Sequence, residues 1–211
     1  IKEFIKKLPS GSRVMVGYLR GGNLQTRQKF TDDLQKAANS LRIVAGRGAA
    51  SGNPYSAIES ALGRFDALPA GRRAILLISD GVDISNGVQN ALPTQSIELD
   101  RTILKAQRKS VAIYSFYNAA TFTESGNSIL VSSGQGSLNR LSEETGGRAF
   151  FQGGASPISF DPFFSDLTSA LNRQFALTYL STNMKKGYHK VQVISTNDKV
   201  RIEHPKGYYY R

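Results

Sequence analysis

The stretch Ala74-Ile75-Leu76-Leu77-Ile78-Ser79-Asp80-Gly81-Val82-Asp83 decides the fold. An apolar run this short and this unbroken suits a strand covered on both faces, as in a parallel sheet flanked by helices. A half-exposed strand would alternate instead. The run empties into Asp80-Gly81, and in open α/β sheets ligands bind just beyond the carboxyl ends of the strands. An acid placed there supplies the oxygen that a hard cation such as Mg²⁺ wants. The same dipeptide also reads as a plain turn after a strand.

Outward from that run, strands and helices alternate. On the amino-terminal side, Ile1, Phe4, Ile5 and Leu8 form the apolar stripe of a helix, stopped at Pro9-Ser10-Gly11. Arg13–Leu19 reads as a strand and Gly21-Gly22-Asn23 as a turn. Thr31 is the expected N-cap of a helix with Leu34, Ala37, Ala38 and Leu41 buried. A loop of small residues, 45–54, leads to a helix over Tyr55–Leu68. On the carboxyl-terminal side come a helix carrying Leu99, Ile103 and Ala106, then Val111–Tyr117 as a second buried strand. Asn118–Gly136 reads as a long Ser/Gly/Thr-rich loop, Leu138 and Leu141 as a short helix, and Arg148–Phe151 as an edge strand. Phe164, Leu167, Leu171 and Phe175 line a last helix opening near Pro162. The expected architecture is α/β: a doubly wound, Rossmann-like, mostly parallel sheet flanked by helices, with Arg13–Leu19, Ala74–Ser79 and Val111–Tyr117 parallel in one sheet.

The pattern changes near residue 175. Phe175–Leu180, His189–Ser195 and Val200–His204 read as strands with no helix between them, and Val191 and Val193 alternate with polar neighbours. The expected division is therefore an α/β domain over 1–174 and a small antiparallel β extension over 175–211.

With 211 residues the chain can bury a sizeable core, roughly 70% of its unfolded surface. Absent cysteine excludes disulfides, thiol catalysis and cysteine-ligated zinc. No run approaches the ~20 apolar residues of a transmembrane segment. The net charge of +11 is spread along the chain, with one concentration of 7 basic against 2 acidic residues over 185–211. A diffuse excess favours solubility and weak attraction to anions rather than specific nucleic-acid binding, which would pair basic residues with exposed aromatics on one face.

Nothing in the sequence assembles a catalytic centre, and no enzyme is expected. His189 and His204, the only histidines, lie on expected strands of the tail, away from any nucleophile-elbow serine. Glu143 and Glu144 are adjacent on a helix, about 100° apart, and cannot share a substrate as an acid/base pair. Gly21-Gly22 and Gly153-Gly154 lack a phosphate-loop context. Tyr208-Tyr209-Tyr210 suits strand packing better than a binding stripe.

The order helix, strand, helix, small-residue loop, helix, "ILLISDGVD", helix, "VAIYSFY", "LSEETGGRAFF" resembles the von Willebrand factor type A (VWA) domain. The tail "RQFALTYLSTNMKKGYHKVQVIS…GYYY" is similar to the C-terminal β extension of bacterial proteins that carry a VWA-related domain. The resemblance implies a non-enzymatic, protein-binding or adhesion domain of an exported bacterial protein, placed outside the cell, on its surface or in the periplasm. Contact would run through the loops at the top of the sheet, near Asp80, Ser51–Asn53 and Asn118–Gly136. It also implies a divalent cation held by three loops. Asp80 matches the third-loop aspartate. The second-loop threonine falls on Gly52 or Asn53, so Ser51 or Asn53 would supply an oxygen instead. The first-loop Asp-x-Ser-x-Ser motif is absent and would lie upstream of Ile1 with the family's central strand. A degenerate site of Asp80, Ser51 and Asn53, binding Mg²⁺ weakly at best, is the expectation. The missing strand would come from a preceding segment of the same gene product or from another chain. The alternatives are a metal-independent structural subunit of an extracellular, self-assembling complex, and an anion or nucleic-acid binder using 185–211.

Overall fold

The computed structural model describes all residues except 43–52, 70, 86, 88–90, 120–122, 124–125, 176, 183–184 and 211. Its centre is the expected apolar run. Strand β3 (Arg73–Ser79) pairs in parallel with β4 (Val111–Tyr117) over its whole length, and β4 pairs in parallel with the two-residue β5 (Ala149–Phe150). The architecture is α/β, with helices on both faces of this parallel sheet.

One face carries α3 (Pro54–Arg64), α4 (Ile97–Arg108) and α5 (Ser128–Thr145), packed onto Leu77, Val111, Ile113 and Tyr117. The other carries α6 (Asp161–Asn172) and α1 (Lys2–Lys6), packed onto Leu76, Ile78 and Phe116. Phe116 is fully buried among Phe150, Phe160, Phe163 and Phe164, with ring centroids 5.0–5.8 Å away. Each such pair contributes about 0.5–1.5 kcal/mol beyond its buried area. Where β5 is too short to continue the ladder, a side chain replaces it: Ile113 N donates to Thr145 Oγ1 at 3.1 Å. Gly147 lets the chain pass there, since a Cβ would stand 2.0 Å from the Ile113 carbonyl oxygen.

The expected strand Arg13–Leu19 exists as β1 (Val14–Arg20), but it is not part of that sheet. It forms an antiparallel hairpin with β2 (Asn23–Thr31), an element the sequence reading passed over. The hinge is Gly21-Gly22, both at positive φ, which suits the two-residue hairpin turn that follows the strand twist. Asp33 rather than Thr31 caps α2 (Leu34–Ser40), accepting from Lys36 N. Ala37 and Ala38 are buried as expected.

Two further expectations are corrected. The loop Asn118–Gly136 ends at Asn127, whose side chain caps the 18-residue α5. The tail is antiparallel, but its strands are β6 (Gly187–Lys190) and β7 (Gly207–Tyr210). The described residues of Phe175–Leu180 and Val200–His204 form no strand, and Phe175, Leu177 and Leu180 are exposed. Val191 and Val193 are half-buried. The hairpin is fastened to the carboxyl ends of α4 and α5. Arg108 lies over the Tyr209 ring at 4.1 Å, Lys206 N donates to Glu144 O, and Arg148 pairs with Glu203.

Candidate functional site

The site forms where β3 and β4 end. Asn118 N donates to Ser79 O at 3.0 Å, closing the ladder, and the chain turns at Gly81 with φ +71°. Helix α5 comes unusually close to this turn. A Cβ on Gly134 would stand 2.0 Å from the Asp80 carbonyl oxygen, and one on Gly81 would stand 2.5 Å from the Gly134 carbonyl oxygen. From the other side, Tyr55 on α3 reaches across, its buried hydroxyl donating to Gly81 O at 2.7 Å. Burial pushes the Tyr55 phenol well above its ordinary range, so it stays a neutral donor.

Asp80 sits half-buried on this clamped turn. Its Oδ1 accepts from Val82 N at 3.3 Å. Burial raises its carboxyl above the usual carboxylate range, and the Val82 and Ser79 hydrogen bonds only partly oppose that. Asp83, three residues on, is turned to its own loop and accepts from the Ser85 amide and hydroxyl at 3.0 and 2.6 Å.

The structure brings Asn53 and Asp80 to the same end of the fold, linked through Tyr55. Asn53 caps α3, its Oδ1 accepting from Tyr55 N at 2.9 Å and Ser56 N at 3.4 Å. Ser51 lies outside the described residues. Among the described residues no group of three or more His, Asp or Glu side chains converges as a cation cage. One half-buried carboxylate and one capping amide would leave most of a cation's coordination positions to water or other oxygens.

Beside this turn, past the end of β4, a groove of about 560 Å³ is lined by Ala119, Thr123, Ser128, Val131, Gly154 and Ser156. It is built by hydrogen bonds across the loops: Tyr117 Oη donates to Gly154 O at 3.2 Å, and Ala119 N donates to Ser156 Oγ at 3.0 Å. The roles of Tyr55, Gly134 and the 154–156 wall of this groove are not among those expected from the sequence. Asn53-Pro54 just ahead of Tyr55 was a usable signal, because an asparagine followed by proline marks a helix start. Nothing local marks the other two. His189 and His204 lie in the tail, away from the turn. His189 stacks on Tyr208, and His204 Nε2 accepts from Val193 N.

No family model matches the sequence, and no curated protein matches it. Solved structures do resemble it. An aerotolerance-related membrane protein from Bacteroides fragilis superposes with a TM-score of 0.50 at 12% identity, over 82% of this chain and 85% of that one. The conserved hypothetical protein BatB from Bacteroides thetaiotaomicron gives 0.52 at 14% identity, with the same two coverages. At these identities the likeness is one of fold. Among the described residues no helix is long and apolar enough to cross a membrane.

Proposed function

We propose that this is a non-catalytic VWA-like protein-binding module that engages its partner with the loops at the carboxyl end of the parallel sheet. One observation carries the reading: the Asp80 turn is clamped from both sides, by Tyr55 and by Gly134, next to an open groove. A half-buried carboxylate held on a rigid turn is costly to the fold and suits a surface built for recognition. The groove wall of small apolar and hydroxyl side chains would take one projecting side chain of a partner. The two Bacteroides structures support a bacterial envelope setting, since one of them is described as a membrane protein.

Mg²⁺ is secondary in this reading. With Asp80 as the one carboxylate that matches a ligand position of the resembled site, binding falls in the millimolar range of loosely held ions. Calorimetry that returned micromolar affinity, abolished by Asp80→Ala, would contradict this. Partner contact itself is tested with a photo-crosslinking residue at Ser85 or Gly126, beside the turn, and at Lys109, at the opposite end of β4. Incubated with envelope extract, the first two positions should capture the same protein and Lys109 should not. Capture from Lys109 alone, or equal capture from all three, would overturn the assignment.

A further inference from the structure

At the amino end of the parallel strands, opposite the Asp80 turn, an apolar segment and the β6–β7 hairpin share one surface. Helix α6 delivers the chain there, where Arg72, just ahead of β3, donates to Leu171 O at 3.0 Å. The described residues of 175–180 then form neither helix nor strand, and Phe175, Leu177 and Leu180 stand 64–95% exposed. Large apolar side chains clustered in water mark a contact surface rather than an ordinary loop. The hairpin turns Tyr188 and Tyr209 inward, to Arg108, so His189 and Tyr208 point outward. Tyr179 joins the two parts: its ring meets Tyr208 edge-on at 6.1 Å, and Ser181 hydrogen-bonds the Tyr208 hydroxyl. His189 stacks on the same Tyr208 and donates from Nε2 to Lys185 O at 2.6 Å.

The charge around this surface has one sign. Residues 167–197 hold Arg173, Lys185, Lys186 and Lys190 and no acidic residue. All four basic side chains are exposed. Where the hairpin is fastened, Glu143, Glu144 and Glu203 are each paired with an arginine, Arg201, Arg140 and Arg148 respectively.

We infer that this surface docks on an anionic lipid bilayer. Phe175, Leu177 and Leu180 enter the boundary between headgroups and acyl chains, Tyr179 sits at that boundary, and the four basic side chains meet lipid phosphates. The composition favours lipid over the other occupants. Protein interfaces are depleted in lysine, whereas lysines rimming an apolar patch extend readily to headgroups. Aliphatic Leu177 and Leu180 offer no stacking platform to a nucleic acid. A second copy would bring like charges together. Helix α5 sets the orientation: Gly134 touches the Asp80 turn, and Glu144, about 15 Å further along, holds the hairpin. Docking by one end leaves the loops at the other facing away from the membrane, so the inference does not depend on what those loops bind.

The test uses the 211-residue chain, which has no tryptophan, so Phe175→Trp is a single fluorescent reporter. Vesicles of equal parts phosphatidylglycerol and phosphatidylcholine should move its emission to shorter wavelength, and phosphatidylcholine alone should not. Ile129→Trp, also exposed but at the far end of α5, should stay unshifted. In vesicle flotation, Leu177→Asp with Leu180→Asp, or Lys185→Glu with Lys186→Glu, should each weaken binding about tenfold or more, and added salt should weaken it further. Circular dichroism checks that these exposed substitutions leave the fold intact. Four results would overturn the proposal: no flotation, equal flotation on both lipids, equal shifts at both reporters, or a Phe175→Trp shift that needs no vesicles and rises with protein concentration. The last would mean that a second copy covers the surface.

Discussion

Asp80 is the residue at which stability and recognition pull apart. Burial raises its carboxyl above the unfolded value, so the folded chain holds that proton to higher pH than the unfolded chain does. The sign follows. Below the unfolded value both states are neutral and Asp80 costs nothing. As pH rises through the raised folded value, the fold must bury a charge and loses stability. Asp80→Asn keeps an oxygen for Val82 N but never ionises, so its melting temperature should exceed the parent's at neutral pH and converge with it in acid. Thermal melts between pH 3 and 8, roughly the range over which carboxylates titrate, check this. A variant less stable at every pH would show that the carboxylate is favourably paired. The importance of Asp80 was legible in the sequence, since an acid directly after a buried apolar run lies at a strand's carboxyl end. The clamp around it was not. Tyr55 and Gly134 lie 26 and 53–54 positions from the turn atoms they meet, and no local pattern encodes such a meeting.

Among the elements, α5 and β2 show why sequence periodicity fails where it does. Ser132-Ser133-Gly134-Gln135-Gly136-Ser137 has low helix propensity and reads as a loop, yet it forms the middle of an 18-residue helix. Gly134 is there because α5 approaches the Asp80–Gly81 backbone with no room for a Cβ, and Gly136 because Pro93 lies against it. Tertiary packing selects them and overrides propensity. Strand β2 alternates in burial along its length, but only Leu24 and Phe30 are strongly apolar, so the period of two is lost among Gln, Thr, Arg and Lys. By contrast α2, α3, α4 and the two buried strands carry full apolar stripes or runs, and all were legible. The approach of α5 is testable. Gly134→Ala puts a Cβ into the Asp80 carbonyl, and overpacking of this kind costs about 1–3 kcal/mol. Gly63→Ala, also within a helix, meets nothing within 4 Å and should instead stabilise by about 0.4–1 kcal/mol. Urea denaturation of the two variants separates the effects, and equal behaviour would remove the packing argument for α5.

On the scale of the whole molecule, helices cover both faces of a three-stranded parallel sheet whose β3 edge has no strand partner among the described residues. The expectation of three parallel strands in one sheet held for two of them, and the third stands apart in its own hairpin. Alternate β3 amides have no ladder partner among the described residues. The most direct measurement is residue-resolved amide exchange on the chain by itself at low concentration. Ile75 and Leu77 should be protected together with Ala112–Phe116, and Leu76 and Ile78 should exchange far faster, alternating along a single strand. Uniform protection across Ile75–Ile78 would mean that both edges of β3 are paired, and the open-sided sheet described here would be wrong.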